Sequence, residues 1–212
     1  MNEPTIIDGL HKRYGDLVAL QDMTFQVSPG EGLVICGPSG IGKSVLLQSL
    51  AGLWPFASGR VRLPGGSDAV MFVPQLPYLP LGDLRSVVTY PRRDCDDDRA
   101  IQQVLVDVNL PQLVLRLNEV AEWSTMLSVG EQQRIAFARV LLARPKAVFL
   151  DESTSAMDEK LESVLYQRLR TALPDAAVVT VSHRATVHEF HESRLELLGD
   201  GKWRLTRLTA SG

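Results

Sequence analysis

Three stretches of the chain are apolar without a break: Leu33-Val34-Ile35-Cys36, Ala147-Val148-Phe149-Leu150 and Ala177 to Val181. Short runs of this kind read as strands buried on both faces, the type that parallel sheets use. Other stretches alternate. Residues 5–12 and 18–27 look like half-buried strands, with Met23, Phe25 and Val27 spaced by polar neighbours. Ser28-Pro29-Gly30-Glu31-Gly32 is a turn cluster that closes the second of these and launches the Leu33 run. Gly59 to Leu63 and Ala69 to Val73 read as strands around a Pro-Gly-Gly turn. Helical spacing appears at Ile101, Val104, Leu105 and Val108, and at Leu161, Val164, Leu165 and Leu169. Val45 to Ala51 and Ile135 to Ala143 are further helix-like runs, and the tail around Gly199-Asp200-Gly201 resembles a hairpin. The pattern predicts an α/β core over about residues 1–75 and 127–212, with a small helical lobe over about 76–126 inserted into it.

At 212 residues the chain is long enough for one domain, or one domain with a small lobe, and for a proper buried core. A net charge of −3 gives no overall pull toward nucleic acid or an anionic membrane. Asp94, Asp96, Asp97 and Asp98 read as a solvated helix start, where carboxylates are favoured. The two cysteines, Cys36 and Cys95, are too few for a disulfide framework and read as free thiols in a reducing compartment. No apolar run reaches membrane-spanning length, since Gly52, Pro55 and Ser58 interrupt the best candidate, and the N-terminus lacks a signal pattern. The chain is therefore expected at the cytoplasmic face of a membrane or in the cytoplasm. His11, His188 and His191 sit among polar residues and read as surface groups; Trp54 and Trp123 read as packing residues, and Trp203 as part of the hairpin.

The chemistry starts at Gly37-Pro38-Ser39-Gly40-Ile41-Gly42-Lys43-Ser44, which fits G-x-x-x-x-G-K-[ST] at every fixed position, between a strand-like and a helix-like run. Glycines at those positions let successive backbone N–H groups turn inward toward phosphate oxygens. The helix that follows adds its positive end. Lys43 supplies a charge for the β/γ-phosphates and Ser44 a hydroxyl for Mg²⁺. Farther along, Ser128 and Glu131 have capping-box spacing, and Gly130 permits close approach of an anion to that helix start. Asp151 and Glu152 fall at the carboxyl end of a buried strand, where open α/β sheets bind ligands. Acids there are costly unless they have work to do: Asp151 can hold the Mg²⁺ shell and Glu152 can polarise an attacking water. Tyr14 can stack on a base, and a further buried strand ends at Ser182-His183.

Taken in order, these segments resemble the nucleotide-binding domain of ABC transporters over nearly the whole chain. Tyr14 falls at that family's adenine-stacking aromatic, Gly37 to Ser44 at Walker A, and Gln75 at the Q-loop glutamine. Leu127 to Gln132 match the signature motif, Asp151 and Glu152 the end of Walker B, Ser155 to Asp158 the D-loop, and His183 the switch histidine. Val129 departs from the pattern, standing where many members have glycine. The resemblance implies an α/β P-loop NTPase (RecA-like) core with an antiparallel β subdomain and an inserted helical lobe. It implies an ATPase that uses ATP and Mg²⁺, with Ser44, Gln75 and Asp151 around the metal. Lys43, Glu152 and His183 would carry the reaction. Partners implied are a second nucleotide-binding domain, in a homodimer or pseudo-dimer with Ser128 and Gly130 reaching ATP in trans, and a transmembrane domain docked over Gln75 to Leu79. No nucleic acid is expected.

Pro74 to Arg85 with Tyr90-Pro91, and Gly201-Lys202-Trp203-Arg204, look like the fatty-acyl (peroxisomal-type) ABC subfamily and its bacterial half-transporter relatives. There the cassette usually follows a membrane domain in the same polypeptide; here almost nothing precedes it, so the expectation is a separately encoded subunit or a cut-out domain. Two rival readings fit the residues less well. A non-transport ABC ATPase acting on chromosomes, repair or ribosomes is disfavoured because only about eighty residues separate Walker A from the signature, with no sustained heptads. A small-molecule kinase on the same core would leave the signature, Gln75 and His183 without a purpose.

Overall fold

A computed structural model of the chain describes residues 3–14, 17–50, 57–66, 69–92 and 97–208. It divides into two compact units, Met1–Phe72 with Pro145–Glu152 and Pro174–Gly212, and Val73–Arg144 with Ser153–Leu173.

In the first unit, β1 (Thr5–Tyr14) pairs antiparallel with both β2 (Leu17–Val27) and β4 (Ala57–Arg62), giving a sheet ordered β2-β1-β4. A second, six-stranded sheet contains the uninterrupted apolar runs. These are β3 (Gly32–Cys36), β8 (Ala147–Asp151) and β9 (Ala177–Val181), set β3-β9-β8 with parallel pairing. Their burial explains their composition: every residue of β9 is buried, as are all but the last residue of β3 and β8. Flanking them are β10 (Ser193–Gly199), parallel to β3, then antiparallel β11 (Lys202–Arg207) at one edge and β5 (Val70–Val73) beside β8 at the other. The strands on either side of Pro64-Gly65-Gly66 thus do not form a hairpin with each other; β4 and β5 enter different sheets. Helix α1 (Lys43–Leu50) contributes Leu46, Leu47 and Leu50 to a core shared with Ile7, Met23, Ile35, Phe149 and Val179. Each such side chain contributes roughly 1.5–3 kcal/mol on burial. In the expected hairpin, Trp203 packs 6.4 Å from the Phe25 ring and donates its indole N–H to the Gln21 carbonyl.

The second unit is mainly helical: α2 (Leu84–Thr89), α3 (Asp98–Asp107), a 3-10 turn (Pro111–Arg116), α4 (Trp123–Met126), α5 (Val129–Ala143) and α6 (Glu159–Ala172). A two-stranded ribbon, β6 (Gly82–Asp83) with β7 (Val120–Ala121), ties its ends. This unit reaches beyond residues 76–126 because α5 and α6 cluster with it. Asp97 caps α3 through the Arg99 and Ala100 amides, and the apolar stripe Ile101, Leu105 and Val108 is fully buried. Trp123 is buried as expected; Trp54, Cys95, Asp94 and Asp96 lie outside the described residues.

Two sequence expectations need correcting. The inner face of α6 is Glu162, Leu165, Tyr166 and Leu169, while Val164 is exposed. The stripe rotates because Glu162 accepts the Thr154 hydroxyl at 2.5 Å and Tyr166 meets Phe137 edge-on. Periodicity counted only apolar residues and so missed a buried carboxylate. The second correction concerns His191, which is buried rather than at the surface. Its Nδ1 lies 2.7 Å from the Val187 carbonyl and its Nε2 2.9 Å from Thr180 Oγ1, the chain having turned inward after α7 (Ala185–His188). A carbonyl only accepts, so Nδ1 carries the proton and the Thr180 hydroxyl donates to Nε2. His191→Ala is predicted to lower unfolding free energy by about 2–3 kcal/mol, from a cavity and a lost buried hydrogen bond. Urea denaturation checks this; an unchanged midpoint would return His191 to the surface.

Candidate functional site

Strand β3 ends in the first unit at a loop whose shape only glycine permits. Gly37 has φ +140, and a Cβ there would sit 2.6 Å from the Leu197 carbonyl oxygen. Beyond it the chain turns through Gly40 and Gly42, also at positive φ, into α1. Lys43, the first residue of that helix, is buried, and its Nζ donates to the carbonyls of Gly37 and Pro38, 2.8 Å each. Lys43 thereby ties the end of the loop back to its start. Ser39, Gly40, Gly42, Lys43 and Ser44, with Val45 and Glu152, line an open cleft of about 240 Å³.

Strand β8 brings the acids to the same place. Asp151 accepts a hydrogen bond from the Ser44 hydroxyl. Burial pushes the Asp151 carboxyl above its usual pKa; the Ser44 bond and Lys43 oppose that, and neighbouring Glu152 adds to it. Burial likewise pulls the Lys43 ammonium below its usual value, against the carboxylates of Glu152 and Asp151. Glu152 itself is held in the left-handed region at φ +47, its N–H bonded to the Val181 carbonyl at 3.1 Å. For a non-glycine residue that conformation costs on the order of 1–3 kcal/mol. It points the side chain along the cleft, where Oε1 lies 3.1 Å from His183 Nε2. The two residues read separately from the sequence are therefore one pair. Cys36, at the loop's entry, is a free thiol whose pKa burial raises.

The remaining candidates lie in the second unit, apart from Tyr14, whose side chain lies outside the described residues. Ser128 caps α5 through the predicted box, its Oγ accepting from the Glu131 amide while Glu131 reaches back to the Ser128 N–H at 2.9 Å. Gly130 has a local duty that the sequence did not reveal. A Cβ there would lie 2.9 Å from the Ala156 carbonyl oxygen, so the missing side chain makes room for the chain's own Ser155–Asp158 turn. The Gln75 side chain donates to Ser155 Oγ at 3.3 Å. Of the apolar run after it, Leu76 and Tyr78 are exposed, at 62% and 64%, as is Leu81, while Pro77 and Leu79 turn inward. A buried arginine that sequence reasoning passed over sets that alternation. Arg139 donates to the Tyr78 carbonyl at 2.9 Å and to the Val87 carbonyl, and lies over the Tyr90 ring. Burial brings its pKa down to about 10, still charged at neutral pH. An arginine in an otherwise apolar helical run, Ile135 to Ala143, was the available signal.

Residues 20–155 of the 212 match the profile of the family described as ABC transporter. The chain belongs to the ABC transporter family. This ABC chain is 41% identical over 193 residues to an ABC transporter ATP-binding protein of Synechocystis, a match covering 89% of the chain and 29% of that protein. It is 36% identical over 204 residues to mouse ATP-binding cassette sub-family D member 3, covering 92% and 30%. The human lysosomal cobalamin transporter ABCD4 is 37% identical over 206 residues, covering 91% and 34%. The chain thus spans about three tenths of the length of the curated relatives it matches. A bacterial Atm1-family ABC exporter solved with ATP bound shares the fold: TM-score 0.83 at 24% identity, covering 95% of this chain and 38% of that one. The fold is the α/β P-loop arrangement expected from the sequence, and family membership implies nucleotide binding.

Gly130→Ala tests the packing of this ABC chain's signature segment. Alanine would ordinarily stabilise a helix by about 1 kcal/mol over glycine. The clash with Ala156 is predicted to outweigh that gain and lower the nucleotide-free melting temperature by several degrees. An unchanged or raised melting temperature would leave Gly130 with no packing role.

Proposed function

We propose that the chain is the ATP-binding and ATP-hydrolysing part of an ABC transporter, two copies closing around Mg·ATP to drive a partner transmembrane domain. The observation that carries this reading is the cleft at the end of β3 and β8, where a glycine-built loop, Lys43, Ser44, Asp151 and Glu152 converge. The loop's backbone N–H groups and the start of α1 suit the β/γ-phosphates, and Lys43 is already held at the cleft wall.

Among the described residues no cluster of three or more His, Cys, Asp or Glu side chains can hold a metal on its own. A divalent ion would therefore need oxygens from the nucleotide beside those of Ser44 and Asp151, whose hydroxyl and carboxylate are already in contact. Mg²⁺, when bound, supplies charge neutralisation at the β/γ-phosphates. Gln75 completes the proposed set. Glu152 takes the proton of the attacking water, and His183, now paired with Glu152, serves as a γ-phosphate contact. Ser128 and Gly130 of one copy contact the γ-phosphate held by the other; loss of that phosphate on hydrolysis removes the differential contact that favours the closed pair.

No helix among the described residues is long and apolar enough to cross a membrane. The transmembrane partner is therefore a separate element, in this polypeptide or another, and the exposed Leu76 and Tyr78 are the docking side chains we assign to it. The chain then works at the cytoplasmic face.

Glu152→Gln is predicted to keep ATP binding within a few-fold, reduce turnover by at least about a hundredfold, and favour an ATP-held dimer on size-exclusion chromatography. Steady-state turnover close to that of the unsubstituted chain would remove Glu152 from the proposed role.

A further inference from the structure

Gln133, five residues into α5, has no solvent exposure. A primary amide there carries two donors and two acceptor sites that must be satisfied inside the protein. Its partners come from two loops far apart in sequence. Nε2 donates to the Gln75 backbone carbonyl at 2.8 Å and to Ser155 Oγ at 3.2 Å, and Oε1 accepts from the Ala156 N–H at 3.1 Å. The direction of the amide is dictated by these partners, since a carbonyl only accepts and a backbone N–H only donates. Ser155 Oγ also receives the Gln75 side chain, and Gly130, one turn earlier on α5, leaves room for the Ala156 carbonyl. One short helical stretch therefore grips the Ser155–Ala156 turn at a side chain, an N–H and a carbonyl, and holds the backbone of Gln75 with the same amide.

We propose that Gln133 is a positioning residue for hydrolysis, a buried strut that makes the Gln75 loop and the Ser155–Asp158 loop move as one body. The proposal rests on the functional reading above, which puts Gln75 at the metal. A displacement of Gln75 when the γ-phosphate arrives or leaves is passed through the amide to Ala156 rather than lost in loop motion. An apolar residue at this position leaves the Gln75 carbonyl and the Ala156 N–H without their partner and uncouples the two loops.

Two substitutions in the full chain separate coupling from packing. Gln133→Glu keeps the acceptor for Ala156 but loses both donors while ionised; protonation returns one donor toward the Gln75 carbonyl. Its kcat is predicted to fall about tenfold at neutral pH, with the KM for ATP within about twofold, and the deficit relative to the unsubstituted chain should shrink as pH falls. Gln133→Leu should show the kcat loss with no recovery in acid. Both variants within twofold of the unsubstituted kcat, or a Gln133→Glu deficit that does not change with pH, would overturn the proposal. The third measurement needs no substitution. The Ala156 amide should exchange with solvent at least about a hundredfold more slowly than an unprotected loop amide, and exchange at the unprotected rate would also overturn it. Failure of the unsubstituted chain to hydrolyse ATP would count against the proposed function instead, leaving the Ala156 exchange rate to decide the strut.

Discussion

Three adjacent parallel strands, buried on both faces, end together, and that constraint organises the rest. β3, β9 and β8 can tolerate almost no polar side chain along their length, so polar groups collect where they stop. The loop after β3, Asp151 and Glu152 at the end of β8, and Ser182-His183 after β9 are three consequences of one arrangement. Their proximity needs no further explanation: in parallel register, neighbouring strands deliver their carboxyl ends to the same edge of the sheet.

At that edge the loop's shape is fixed by its own residues. Positive φ at Gly37, Gly40 and Gly42 and the two Lys43 bonds set its shape, and the strained backbone of Glu152 is held by its own N–H, which donates to the Val181 carbonyl. Preorganisation of this kind lowers the reorganisation required when charge arrives. In the other unit the same economy appears around α5, where Gly130, Gln133 and Arg139 each serve a loop as well as the helix.

Much of this was legible in the sequence because it follows from local rules. The buried strands announced themselves as apolar runs, the Ser128–Glu131 box by its spacing, and the phosphate loop by its glycines and lysine. What escaped depends on side-chain hydrogen bonds and ring contacts that the apolar pattern does not encode. His191 has polar neighbours in sequence yet lies under Thr180 and Val187; Val164 fits an apolar stripe that Glu162 and Tyr166 displace. Gly130, read as room for an anion, also makes room for Ala156, and nothing local in the sequence marks Gln133 as buried. Hydropathy cannot identify a buried carboxylate such as Glu162, or a buried amide such as Gln133 whose partners sit tens of residues away.

The curated relatives extend well beyond the span of this chain. Within the chain the central claim is that the Gly37–Ser44 loop holds the nucleotide by its β/γ-phosphates, with Lys43 as the charge. Calorimetric titration of Mg·ATP into the unsubstituted chain and into Lys43→Ala tests it most directly. The account predicts that affinity falls by at least about a hundredfold on loss of the ammonium; equal affinity in the two proteins would contradict it.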